Sequence, residues 1–152
     1  MIQRIQSIWL TLAALTICCL LFIPMVTSNV AGVEFQVIAS GLYQKTGTTT
    51  SQVEDSLPLL ISTIAVALMC FVNVFNFKNR ITQKRVALAS IVLIIGLSFW
   101  CSQYAKRIPG GIENANYNVG MFLPVIAIAF CVLAIKGINK DEKLIRSADR
   151  LR

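Results

Sequence analysis

Four apolar runs decide what this chain can become. They occupy residues 5–26, 57–77, 86–104 and 119–136, and carry no charge before the Lys136 that closes the last. A hydrocarbon core of roughly 30 Å takes about 20 helical residues to cross, and each run is close to that length. The longest stretch between runs, 27–56, is too short for a separate soluble domain. Of the 152 residues, 56% are hydrophobic and 14% charged, with mean hydropathy +0.70. That leaves too few polar side chains to clothe a water-soluble surface of this size. The expected fold class is all-α integral membrane: a four-helix transmembrane bundle forming one domain over 1–152.

The first run could be read as a secretory signal, but the apolar part of a signal is normally only about 7–15 residues long. This run is longer and is expected to stay as a membrane helix, with Trp9 as an interfacial anchor. In the loop 27–56, Val33, Phe35 and Val37 alternate with Glu34 and Gln36. Such alternation, with a turn near Ser40-Gly41, suggests a small extracytoplasmic β-hairpin between helices 1 and 2. The stretch TGTTTSQ that follows is polar and is expected to be flexible. Asp55-Ser56 is expected to cap the second helix, with Pro58 in its first turn. Four helices with a small sheet between the first two resemble the claudin-like arrangement, although the cysteine pair that claudins carry in that loop is absent. The five cysteines all lie in apolar runs, which reads as small buried hydrophobes rather than a disulfide framework.

Charge sets the expected orientation. Arg4, four bases in loop 78–85 and six in the tail 136–152 make eleven Lys or Arg on one side, against Lys45, Lys106 and Arg107 in loops 27–56 and 105–118. Basic residues concentrate on the cytoplasmic side of short loops, so both termini are expected in the cytoplasm of a bacterial inner membrane.

The tail 137–152 reads as a charged helix continuing the fourth span. Leu144, Ala148 and Leu151 follow i, i+4, i+7 spacing and make a narrow apolar stripe. Lys140, Lys143, Arg146, Arg150 and Arg152 surround it, and Lys78, Arg80, Lys84 and Arg85 lie on the same side of the membrane. These residues are the candidate partner- or lipid-binding set. Three readings compete: the basic helix lies on anionic inner-leaflet lipid; the stripe docks a cytoplasmic or membrane protein; or the charge meets nucleic acid or a ribosome. The last has least support, because the tail has no aromatic residue for base stacking. Asn73 and Asn76, three apart, are candidates for hydrogen bonds between helices.

No histidine is present, which removes His-ligated haem, most zinc sites and Ser–His catalysis. No acid falls within any apolar run, and no CxxC or phosphate-binding glycine loop appears. No cofactor is implied and no enzyme is expected. The reading is an accessory or scaffold protein, with a small transporter or lipid-binding protein using a cavity between the spans, near Asn73 and Asn76, as the alternative.

Several segments carry a resemblance. MIQRIQSIWL at the start, DSLPLL before the second run, KNR before the third and KDEKLIRSADRLR at the end are similar to an uncharacterised family of four-span inner-membrane proteins of Bacteroidota, domain of unknown function 4293. The resemblance covers essentially the whole chain and implies an inner-membrane location and four helices. It carries no activity and no site residue.

Overall fold

The first helix, α1 (Gln3–Cys19), stops seven residues before the end of its apolar run. Pro24 accounts for this, because it lacks an N–H and disfavours helical backbone in the residue before it. The last turn tightens through short-range bonds, Leu20 N–H to Ile17 O at 3.1 Å and Leu21 N–H to Cys18 O at 3.0 Å. Met25 N–H then bonds to Val37 O at 2.8 Å, and the chain has become a sheet. In this computed structural model the described residues are 3–149 except 31, 47, 48, 112 and 114; the side chains of 3, 4, 78 and 144–149 also fall outside the description.

The fold is not all-α. Between α1 and the second helix lie β1 (Val26–Val30), β2 (Val33–Ile38), β3 (Gly41–Thr46) and β4 (Thr49–Asp55). A fifth strand, β5 (Ala115–Tyr117), comes from the second long loop. The five form one antiparallel sheet in the order β4-β3-β2-β1-β5. The expected hairpin is thus four strands, and most of the stretch expected to be flexible is the edge strand β4. Every residue of β4 is exposed, so no face of it shows hydrophobic alternation; Thr-rich composition is the strand signal there. β2 is different: Val37 is buried and Phe35 packs against the core.

The other helices are α2 (Leu57–Phe75), followed by a 3₁₀ turn Asn76–Lys78, α3 (Arg80–Ala105) and α4 (Leu123–Asp149), preceded by a 3₁₀ turn Val119–Phe122. α2, α3 and the segment Val119–Lys143 are long and apolar enough to cross a membrane, and Ile5–Cys19 of α1 is a shorter apolar helix. The chain is therefore compatible with a multi-pass membrane protein. α1 packs on α2 and α4, and α3 packs on the same two, which closes a ring of four. α3 starts at Arg80 rather than 86, so most of the expected loop 78–85 is its first turns. Asn79 caps it, accepting from Thr82 N–H at 3.4 Å. Ser56 does not cap α2 through its side chain; its hydroxyl donates to Ala39 O at 3.1 Å and ties the helix to the sheet.

One core runs through helices and sheet. Ala13, Ile17, Ala67, Cys70, Ile94 and Cys131 continue into Met25, Val26, Val37 and Ala39. Gly120 lets the start of α4 approach this junction: a Cβ there would stand 2.5 Å from Pro24 O. Across the sheet, Arg107 pairs with exposed Glu54 at 3.1 Å and lies 5.0 Å from the Tyr104 ring centroid.

Candidate interaction site at the sheet-distal end

Away from the sheet, the core seam turns from apolar to polar. Leu10 of α1, Ala87 of α3 and Ala134 of α4 form a last apolar layer with Trp9, Val74 and Ile135 against it. Beyond it each helix places a buried polar side chain into the seam: Gln6 of α1, Asn73 of α2, Gln83 of α3 and Asp141 of α4. α2 and α3 are stitched reciprocally. Asn73 Nδ2 donates to Gln83 O at 3.1 Å, and Gln83 Nε2 donates to Asn73 O at 3.4 Å. The Asn73 carbonyl thus accepts twice, from the Gln83 side chain and from the N–H of Asn76, which caps the end of α2.

α1 and α4 are joined differently. Gln6 Nε2 donates to Asp141 Oδ2. Gly137, one turn earlier on α4, makes this contact possible, because a Cβ there would lie 3.0 Å from Gln6 Cγ. Among the described residues, three buried polar atoms at this end have no hydrogen-bond partner: Asn73 Oδ1, Asp141 Oδ1 and Arg80 Nη1. Arg80 precedes Ala87 by seven residues and Asp141 follows Ala134 by seven, so the two stand at similar depth on adjacent helices. Buried groups of this kind are ordinarily satisfied by ordered water.

A second feature lies nearer the middle of the helices. A cavity of about 330 Å³ opens between α1 and α2, walled by Thr11, Leu15, Cys18, Ile64, Leu68 and Phe71. Its floor includes Ala14 and Ala67, whose small side chains leave the space. Leu15, Leu68 and Phe71 are exposed at its rim. Neither Asn73 nor Asn76 is among the residues that line this cavity. Asn73 is fully buried and bonded to Gln83, while Asn76 is half-buried in the 3₁₀ turn.

The family model described as a domain of unknown function, DUF4293, matches residues 2–151. The chain belongs to that family. No curated protein matches it.

In this DUF4293 protein the sequence-nominated residues divide into three groups. Lys140, Lys143 and Arg85 are exposed, and Lys84 and Arg80 are half-buried. Lys136, Lys140 and Lys143 share one face of α4 by i, i+4, i+7 spacing, opposite the face that buries Ile138 and Asp141. Leu144, Arg146 and Ala148 lie on the backbone of α4, and their side chains fall outside the described residues, as does that of Lys78. Arg150, Leu151 and Arg152 lie outside the described residues altogether. Gln6, Gln83 and the buried role of Asp141 were not nominated. Their signal was available: Gln6 stands four before Leu10 and Asp141 three after Ile138, both at the spacing of the core seam. The cysteines are free thiols, with Cys70, Cys101 and Cys131 buried and Cys18 and Cys19 half-buried.

Proposed function

We propose that this DUF4293 protein is a non-enzymatic accessory or scaffold protein of a bacterial inner membrane. It crosses four times with both termini in the cytoplasm and presents the end of α4 to a cytoplasmic partner or to anionic lipid. The observation that carries this reading is that α4 runs unbroken from Leu123 to Asp149 while Gln6 holds it at Asp141. The eight residues past Asp141 extend about 12 Å as a helix fixed at its base. Ala148 follows Asp141 by seven, so the heptad spacing of the seam carries on along the backbone of this helix. The apolar stripe Leu144, Ala148 and Leu151 read from the sequence supplies the docking face of this reading. Four crossings are supported by exposed apolar residues on every helix, among them Ile8, Ile61, Val92 and Val125. The eleven-to-three distribution of bases supports the orientation.

The test is affinity purification in mild detergent of the full chain and of a chain ending at Lys143, which keeps the Gln6–Asp141 contact. A specific protein lost on truncation supports a protein partner. Equal protein recovery, with less binding to anionic vesicles, supports the lipid face. No difference in either assay refutes the proposal.

A second reading, a lipid-binding membrane protein, is favoured by the apolar groove between α1 and α2. Leu144→Asp should abolish scaffold function and leave lipid binding in that groove intact.

A further inference from the structure

Every strand of the sheet gives one uncharged polar side chain to a single row on the face turned away from the core. Register fixes the row. Asn116 of β5 stands opposite Thr27 of β1, Thr27 opposite Gln36 of β2, Gln36 opposite Tyr43 of β3, and Tyr43 opposite Gln52 of β4. Cross-strand partners share a face, and side chains alternate along each strand. The adjacent residues Val26, Val37 and Leu42 meet the core, so the row lies on the solvent side. Asn116 and Gln52 are exposed and the other three half-buried. Four steps between strands of about 4.8 Å make the row about 19 Å long.

These side chains are held by bonds that leave part of their capacity unused. Gln36 Nε2 donates to Glu34 Oε1 at 3.0 Å. Gln52 Nε2 donates to Ser40 O at 3.3 Å and to Asp55 Oδ1. Neither amide oxygen receives a donor among the described residues. Thr27 Oγ1 accepts from Asn118 Nδ2 at 3.3 Å and keeps its own O–H to give. Tyr43 Oη shares a hydrogen bond of 2.9 Å with Ser40 Oγ. Asn116 makes no side-chain hydrogen bond among the described residues. An amide or a hydroxyl is both donor and acceptor, so the row can give and receive at every strand.

The composition of the face selects its ligand. Its one base, Lys45, stands opposite Glu34, so a polyanion finds no basic track. The row holds no aliphatic side chain, whereas protein partners are recognised through an apolar, aromatic-rich centre. A chain of hydroxyl groups, each again donor and acceptor, matches the row member for member. Tyr43 at its middle adds an apolar ring beside a polar tip, which suits the two sides of a sugar.

We infer that this face binds an uncharged glycan chain laid across the strands, its hydroxyl groups received by Gln36, Tyr43 and Gln52, with Thr27 and Asn116 extending the row. The orientation proposed above puts the face outside the cytoplasm. The binding itself depends on neither the scaffold reading nor the lipid-binding one.

The test uses the full chain in phosphatidylcholine nanodiscs freed of glycoside detergent, with cellotetraose and chitotetraose as probes and surface plasmon resonance as the readout. Saturable binding is expected at millimolar sugar or below. Gln36→Ala and Gln52→Ala should each weaken it about fivefold. Gln44→Ala, opposite Phe35 on the other face, should leave it unchanged. If Gln52→Ala loosens β4, Asn116→Ala at the far end of the row gives the same reading. No saturable binding of either sugar would overturn the inference. An equal loss from Gln44→Ala, or tighter binding of an anionic oligogalacturonate than of the neutral sugars, would overturn it as well.

Discussion

Replacing Gln6 by leucine isolates the contact that fixes α4. Asp141 is 6% exposed and Gln6 5% exposed, and Gln6 is the hydrogen-bond partner of Oδ2 while Oδ1 has none in the protein. Gln6→Leu leaves both oxygens of the buried Asp141 side chain without a donor among the described residues. Leaving a buried acceptor without its hydrogen-bond donor costs about 1–3 kcal/mol, so the expectation is about 2 kcal/mol. That is roughly a 30-fold rise in the equilibrium for opening this end of the ring. Asp141→Asn keeps an acceptor for Gln6 and should stay within about 1 kcal/mol of the parent. Gln6→Leu with Asp141→Leu removes both polar groups together and should likewise recover most of the loss. Native-state hydrogen exchange of the amides of residues 137–143 in micelles reads these differences directly. The reasoning is refuted if Gln6→Leu raises exchange by less than about threefold, or if the double variant opens as readily as the single one.

Three further outcomes follow from the same structure. Gly120→Ala sets a methyl 2.5 Å from the Pro24 carbonyl oxygen and should lower stability by about 1–3 kcal/mol, seen as a fall in Tm. Asn79→Ala removes the acceptor for Thr82 N–H and should cost about 0.5–1 kcal/mol, with faster exchange confined to the first turn of α3. Arg107→Ala breaks an exposed pair with Glu54 and should change Tm little, corresponding to less than about 1 kcal/mol, and still less at high salt.

The helices were legible because lipid-length apolar runs admit few alternatives. Alternation at Val33, Phe35 and Val37 also disclosed β2, since one face of that strand meets the core. The rest of the sheet was harder to see. β4 is wet on both faces and so has no hydrophobic period, and β5 is three residues whose place depends on the partner Val26–Ser28 far away in sequence. The early stop of α1 turned on Pro24, which the run's uniform hydropathy hides. Asn79 as a cap was masked by the positive charges around it. The polar layer was missed for a different reason. Asp141 sits in a charged stretch and reads as a surface residue, and only the position of Gln6 on a neighbouring helix makes it a buried one. The tail's basic residues were legible as charge, whereas the burial of Ile138 and Asp141 on the other face of α4 depends on the helices packed against it.

The most direct test of the central claim is photocrosslinking in living cells with the photoreactive residue at position 148, on the continuing seam, or at position 143, on the opposite basic face. The account predicts a discrete protein adduct from position 148 that is absent from position 143 and that disappears when Leu144→Asp is added. Lipid adducts alone from both positions, or a protein adduct from position 143 only, would contradict it.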